Sequence, residues 1–118
     1  MSLKIAIAQI NATVGDIAGN AAKILDFAHR AKAQGADVLL TPELVLCGYP
    51  PEDLLFREDF YAACDQELDA LATKLPEIDV LVGHPLMRDG RSYNAATLIR
   101  EGRRLATYRK QRLPNYEV

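Results

Sequence analysis

Apolar residues recur along the chain at two spacings, which predict where strands and helices lie. Residues 3–10 alternate and are rich in Ile, a pattern that predicts a buried strand. Residues 21–31 carry apolar side chains at steps of three and four, which predicts a helix ending near Gln34 with Gly35 as its stop. Asp16 or Asn20 is expected to cap the start of this helix.

The rest of the chain contains the patterns of one further helix and of several further strands. Residues 36–41 are short and continuously apolar, as in a strand of a sheet that is covered on both faces. A second helix is predicted over residues 57–74, ended by Pro76, and further strands over residues 78–85, 92–100 and 103–110. Tight turns at Asp89-Gly90 and Glu101-Gly102 join the last three strands. This order predicts an α/β fold with a mixed sheet, parallel at first and antiparallel at its end, and helices on at least one face.

Composition and charge narrow the class of protein. The 118 residues suffice for one domain, and 49% of them are apolar, enough to bury a core. A net charge of −2 and a pI of about 5.6 argue against binding to nucleic acid or to an anionic membrane. The basic residues near the end are expected to form a solvated edge strand. No apolar run is long enough to span a membrane and no secretory signal is visible, so the protein is expected to be cytoplasmic.

Two charged residues follow predicted strands at positions where chemistry tends to collect. Glu43 lies two residues beyond the strand that ends at Thr41, and Lys110 lies immediately beyond residues 104–109 of the last strand. If the two strands run the same way, both side chains emerge at the carboxyl edge of the sheet. Each residue also has a simpler interpretation without a catalytic role, Glu43 as a residue of a surface loop and Lys110 as a solvated charge.

Pro42 restricts the backbone on both sides of it and so fixes the direction of Glu43. Apolar neighbours on either side of the carboxylate are expected to desolvate it partly, which would raise its pKa toward a value useful to a general base. A nearby lysine would lower that pKa again and stabilise a developing oxyanion. A carboxylate base and a fixed cation suit acyl transfer, provided that a nucleophile is present.

The segments "TPELVLCGYPPEDLL" and "YRKQRLPNY", together with "KIAIAQINATVGDIAGN" and "VLVGHP", carry a family resemblance. The chain resembles the nitrilase or carbon–nitrogen hydrolase superfamily and, within it, the glutamine-hydrolysing domain at the N-terminus of glutamine-dependent NAD⁺ synthetases. The resemblance implies a nitrilase-like α-β-β-α sandwich. Residues 1–118 would be its N-terminal portion, and the rest of that domain and a synthetase domain would lie outside this chain.

The resemblance also implies roles for individual residues. Glu43 matches the general base of the family, Lys110 matches its transition-state-stabilising lysine, and Tyr49 and Tyr116 match aromatic residues lining the glutamine pocket. The nucleophilic cysteine of the family is expected beyond Val118, so this chain alone is expected to be inactive.

Other candidate residues receive structural interpretations. Cys47, in the loop after Glu43, is an alternative nucleophile that we do not favour, and Cys64 is expected to pack in the core. His84 is a possible second base, but a supporting structural role is preferred. Glu52 and Asp53 are expected in a turn and helix cap.

The implied parent enzyme hydrolyses L-glutamine and passes the ammonia to a synthetase domain that uses ATP and Mg²⁺ to amidate deamido-NAD⁺. The parent is expected to be a homo-oligomer, and no cofactor or metal is expected in this segment. A stand-alone nitrilase-type amidase and a non-catalytic assembly fragment are the two alternatives. If the chain is a fragment, its uncovered sheet is expected to make it associate.

Overall fold

The computed structural model describes residues 2–51, 54–55 and 57–113, with the exception of the side chains of residues 111 and 112. These residues form two helices and five strands in the predicted order. The elements are β1 (Ile5–Ile7), α1 (Ile17–Ala33), β2 (Val38–Leu40), α2 (Glu58–Lys74), β3 (Asp79–Arg88), β4 (Arg91–Arg100) and β5 (Arg103–Arg112).

The five strands form one sheet in the order β1-β2-β3-β4-β5. The first three pair in parallel, and β4 pairs antiparallel with both β3 and β5. Because β4 reverses the direction and β5 reverses it again, β5 runs the same way as β1, β2 and β3. The carboxyl ends of β2, β3 and β5 therefore lie along the same edge of the sheet, the edge formed by strand ends. The predicted mixed sheet is confirmed.

Local chemistry explains the limits of the helices. The Asp16 side chain accepts a hydrogen bond from the Gly19 N–H at 3.0 Å, so Asp16 is the cap of α1 and Asn20 is not. Gly35 follows α1 with φ +83°, the left-handed conformation that ends many helices. The cap position of α2 is Arg57. Glu52 and Asp53, predicted near that cap, lie outside the described residues.

Both helices contribute to a core on one face of the sheet. Leu39, Val80 and Ile99 are register partners in β2, β3 and β4, and each is buried against this core. The helical residues that complete it are Ala21, Ile24, Ala28, Ala31, Phe60, Tyr61, Cys64, Leu68, Leu71 and Ala72. The α1 residues have the spacing that the sequence predicts, and the packing role of Cys64 is confirmed.

The opposite face is open in the part of the chain that the structure describes. The register partners on this face, one from each strand, are Ile7, Leu40, Leu81, Leu98 and Ala106. Ile7 is 74% exposed. The predictions of a buried first strand and of a second strand covered on both faces are therefore wrong for the described residues. β1 is also shorter than predicted, because its partner β2 ends at Leu40. Pro42, two residues later, has no backbone N–H with which to continue the strand pairing.

The last three strands are joined by the two predicted turns. Asp89 and Gly90 have φ +54° and +74°, and Glu101 and Gly102 have φ +52° and +76°. Two consecutive left-handed residues suit a tight hairpin between twisted strands. β5 forms the edge of the described sheet, as expected for the basic segment.

Candidate functional site

The loop after β2 is fixed to the sheet by close backbone contact with Gly83 on β3. A Cβ atom built on Gly83 would lie 2.8 Å from Leu44 N and in collision with the Pro42 carbonyl oxygen. The Gly83 N–H donates to Thr41 Oγ1 at 3.1 Å, and the Leu46 N–H donates to the Gly83 carbonyl at 3.1 Å. The glycine in "VLVGHP" is therefore the residue that lets the loop approach the strand.

Glu43 lies at the outer side of this loop. The next residue, Leu44, has φ +52°, a conformation that is rare for a bulky side chain and costs about 1–2 kcal/mol. Leu44, Val45 and Leu46 are each at most 1% exposed, and this burial offsets the strain. The loop direction at Glu43 is thus set by the packing of the residues that follow it.

The Glu43 side chain is exposed, so the predicted partial desolvation is wrong for the described residues. The reason is the direction of packing. The apolar residues after Glu43 turn inward beneath the loop, into the core, and do not surround the carboxylate.

A second loop, between β1 and α1, is bonded to the first. Asn20 is fully buried; its Oδ1 accepts from the Thr13 N–H at 2.8 Å, and its Nδ2 donates to the carbonyls of Thr13 and Leu46 at 2.8 and 3.1 Å. The Gly15 N–H donates to the Cys47 carbonyl at 2.9 Å. The "VGD…GN" segment therefore positions the Glu43 loop, a role that the sequence pattern did not reveal.

The two loops enclose a cleft of about 150 Å³ that Glu43 and Tyr49 both line. The other lining residues are Ile10, Asn11, Ala12, Pro42 and Val45. Tyr49 is 69% exposed, which leaves its ring accessible from solvent. The structure thus brings two of the predicted site residues together. Tyr116 lies outside the described residues.

Lys110 lies within β5 and not beyond its end, which corrects the predicted position. Arg109 pairs with Ala95 and Gln111 pairs with Asn94, so Lys110 is the extra residue of a β-bulge. A bulge interrupts the ladder and redirects a side chain, and such bulges are frequent beside active sites. Lys110 is exposed.

The Glu43 loop and Lys110 both lie toward the carboxyl ends of β2, β3 and β5, which run the same way. Gly83, against which the loop packs, is in register with Ala96 on β4 and through it with Tyr108 on β5. Because Lys110 is the extra residue of the bulge, the alternation of side chains along β5 does not fix the face on which it lies. β3 and β5 are two strand spacings apart, about 10 Å. The backbone therefore places the two residues at the same end of the sheet, and the convergence of their side chains stays a prediction.

Contacts on the helical face hold β5 in place. Arg104 donates to Asp65 and Asp69 on α2, with Nη1 to Oδ1 distances of 2.6 and 3.2 Å. Thr107 and Thr97 join β5 to β4 through their hydroxyls, 2.8 Å apart. These bonds anchor the strand that carries Lys110 to the rest of the domain.

His84 continues that hydroxyl chain onto β3. Its Nδ1 lies 3.1 Å from the Pro85 carbonyl, which only accepts, so Nδ1 carries the proton and Nε2 accepts from the Thr97 hydroxyl at 2.7 Å. Burial lowers the pKa of His84, which favours this neutral form. His84 shares its face with Val82 and not with the Glu43 loop, so the geometry supports the preferred structural role over that of a second base.

Neither thiol has the surroundings of an activated nucleophile. Burial raises the pKa of both Cys47 and Cys64 to about 12. The Cys47 Sγ lies 3.3 Å from the Gly48 carbonyl and 3.5 Å from the Leu44 carbonyl, enclosed beneath the loop. Cys47 therefore packs against the core and does not face the cleft that Glu43 lines.

Two further kinds of feature were sought among the described residues. These residues contain no group of three or more His, Cys, Asp or Glu side chains that could hold a metal ion. Neither described helix is long and apolar enough to cross a membrane.

Comparison with known proteins places this geometry in a family. Residues 4–118 match the carbon-nitrogen hydrolase family. The chain belongs to the carbon–nitrogen hydrolase family. Among its members it is 48% identical, over 122 residues, to the glutamine-dependent NAD(+) synthetase of Synechocystis sp., a match that covers 97% of this chain and 22% of that protein.

Solved structures give the same assignment. The glutamine-dependent NAD⁺ synthetase from Acinetobacter baumannii, in complex with ADP, superposes with a TM-score of 0.87 at 36% identity and covers all of this chain. An amidase from Nesterenkonia sp. superposes with a TM-score of 0.79 at 31% identity, over 96% of this chain and 44% of its own. This carbon–nitrogen hydrolase chain spans about a fifth of the length of the synthetases that it matches.

Proposed function

We propose that the chain forms the N-terminal part of the glutamine-hydrolysing domain of a glutamine-dependent NAD⁺ synthetase. The observation that carries the proposal is that the Glu43 loop and Lys110 lie at the same end of the sheet, toward the carboxyl ends of strands that run the same way. The similarity of the whole chain to such synthetases supports it.

In the proposed reaction, a cysteine outside these 118 residues is the nucleophile. Glu43 takes the thiol proton, and the thiolate attacks the side-chain amide carbon of glutamine. Lys110 donates to the resulting oxyanion, while Glu43 returns the proton to the departing ammonia and leaves a thioester. Glu43 then removes a proton from water, whose attack on the thioester releases glutamate and restores the thiol.

The fixed loop and the bulge explain what the chain contributes. A general base acts only within hydrogen-bond reach of the proton that it transfers, so the contacts at Gly83 and Asn20 limit how far Glu43 can move. Tyr49 lines the same cleft and would contact the glutamine substrate. ATP, Mg²⁺ and deamido-NAD⁺ are expected at a synthetase part outside these 118 residues.

The test compares two ammonia sources in the full-length protein. Glu43→Gln should lower glutamine-driven NAD⁺ synthesis by about 10²- to 10⁴-fold, and Lys110→Ala by about 10²- to 10³-fold. Synthesis from added ammonium should change less than about twofold in both variants. Glu77→Gln, an exposed carboxylate after α2 and far from the cleft, is the matched control and should leave both rates unchanged.

The same assays distinguish the proposed function from a stand-alone amidase and from an assembly role. A stand-alone amidase, suggested by the Nesterenkonia likeness, would hydrolyse amides without any ATP-dependent amidation. An assembly role would leave glutamine hydrolysis intact in both the Glu43 and the Lys110 variants. Loss of the glutamine-driven and the ammonium-driven rates together would indicate a folding defect and would contradict the assigned roles.

A further inference from the structure

Asn11, in the loop between β1 and α1, lines the cleft beside Glu43 but has no part in the proposed reaction. Its neighbours Ile10 and Ala12 are partly buried and pack against the hydrophobic core. Asn11, between them, is exposed. It therefore lies at the outer side of the cleft, where its amide is open to a ligand.

The backbone at Asn11 is held in place by side chains of α1. Lys23 Nζ donates to the Asn11 carbonyl at 2.7 Å and lies 3.5 Å from Thr13 Oγ1. Both the N–H and the carbonyl of Thr13 are bonded to the Asn20 amide. A loop that is already fixed loses little further freedom when a ligand binds, so the binding energy of its contacts is not spent on ordering it. The first of these bonds also places the Lys23 ammonium beside the loop that faces Glu43 across the cleft.

The cleft combines an apolar lining with three exposed polar residues, Asn11, Glu43 and Tyr49. The apolar residues are buried or half-buried; they are Ile10, Ala12, Pro42 and Val45. A volume of about 150 Å³ is that of about five water molecules at ~30 Å³ each. The side chain of glutamine has about the same number of non-hydrogen atoms, in two methylene groups and a terminal carboxamide. It therefore matches the cleft in both size and polarity.

The charges beside the cleft favour one orientation of bound glutamine. Its carboxamide must reach Glu43 for the proposed reaction, whereas its α-carboxylate is repelled by the Glu43 carboxylate and attracted toward the Lys23 ammonium. The charged end of the substrate is therefore directed to the side of the cleft on which Asn11 lies. An asparagine amide offers N–H donors to the α-carboxylate and a carbonyl acceptor to the α-ammonium. Asn11 thus complements both groups without adding a charge of its own.

We propose that Asn11 is a substrate-binding residue that holds the α-amino and α-carboxylate groups of glutamine, a proposal that rests on the proposed function. The contact distinguishes glutamine from simple aliphatic amides, which have the carboxamide and the apolar stem but no charged end. A site that bonds a polar group of its substrate discriminates against an analogue without that group, because the polar groups of the site are left unpaired when the analogue covers them.

The test measures KM and kcat of glutamine-driven synthesis in the full-length protein. Asn11→Ala should raise the KM for glutamine by about 10- to 100-fold, the range for losing a hydrogen bond to a charged group, with kcat and the ammonium-driven rate within about threefold. Asn11→Asp, which is nearly isosteric, should raise KM further, because its carboxylate repels that of glutamine. This excess over the alanine variant should shrink as salt is raised. Gln34→Ala, at an exposed amide after the other end of α1, is the matched control and should leave KM unchanged.

An unchanged KM in the alanine variant, or a fall in kcat without a change in KM, would overturn the proposal. So would an aspartate variant whose KM equals that of the alanine variant at low salt, or an equal rise of KM in Gln34→Ala. Because Asn11 is exposed, both of its variants are expected to fold, and a lowered stability in urea titrations would count as a structural role and against the proposal. If Glu43→Gln keeps its glutamine-driven rate, the proposed function itself fails, so the two failures can be told apart.

Discussion

Replacing Gly83 with alanine tests whether the close contact between β3 and the Glu43 loop positions the carboxylate. The added Cβ would lie 2.8 Å from Leu44 N, whereas ordinary van der Waals contact begins at 3.4 Å, so the loop backbone must retreat by at least about 0.6 Å. The atoms that it meets are backbone atoms, which cannot rotate away. Overpacking of this kind costs about 1–3 kcal/mol.

The functional effect should exceed the effect on stability. A misplacement of about 1 Å at a reacting group can cost about 10²-fold in rate. We therefore expect Gly83→Ala to lower glutamine-driven synthesis by about 10- to 100-fold, while synthesis from ammonium stays within about twofold. Hydrogen exchange should also quicken in residues 41–48, because the Leu46 N–H donates to the Gly83 carbonyl.

Gly90→Ala is the matched control. A Cβ on Gly90 meets nothing within 4 Å, and its φ of +74° makes the substitution strained without any steric contact. It should cost stability, by about 1 kcal/mol, and leave both rates unchanged. If Gly83→Ala kept its glutamine-driven rate and its exchange pattern, the claim that backbone contact at Gly83 sets the position of Glu43 would be refuted.

Three further predictions follow from buried groups. Asn20→Ala removes the three hydrogen bonds that join this residue of α1 to the two loops, two to Thr13 and one to Leu46. It should lower the free energy of unfolding by about 2–4 kcal/mol in urea titrations, whereas Asn11→Ala at an exposed position should not. With pKa values of about 12, Cys47 and Cys64 should react with iodoacetamide only after denaturation, and prompt labelling of folded protein would contradict their burial. Because burial lowers the pKa of His84, the histidine stabilises the fold above pH about 6.5, and this contribution is lost as pH falls through the folded-state pKa. In His84→Gln, the free energy of unfolding should depend less on pH over this range, and an unchanged dependence would contradict the role assigned to His84.

The sequence predicts the elements well where local chemistry decides them. Two left-handed turn residues at Asp89-Gly90, the cap at Asp16 and the stop at Gly35 are set by a few adjacent residues, so the hairpin and the limits of α1 agree with prediction. The helical faces agree because burial follows the 3.6-residue period.

The remaining features depend on contacts that no local pattern encodes. The length of β1 depends on where its partner β2 ends, at Leu40. The bulge at Lys110 depends on a register shift between β4 and β5, and the bonds of Asn20 depend on a loop 26 residues away. The topology puts the Glu43 loop and Lys110 at the same end of the sheet, as predicted from the strand order, but the exposure of both side chains depends on what packs over the sheet.

The open face of the sheet and the exposed Glu43 have the same origin. Leu40 and Leu81 lie on the face against which the Glu43 loop packs, and both are partly exposed in the described residues. A general base with a raised pKa needs a site from which water is largely excluded. Since the apolar residues of its own loop face the core, that exclusion must come from groups that lie over this face of the sheet. Under the proposed function, groups packed over this face would both bury Leu40 and Leu81 and exclude water from Glu43.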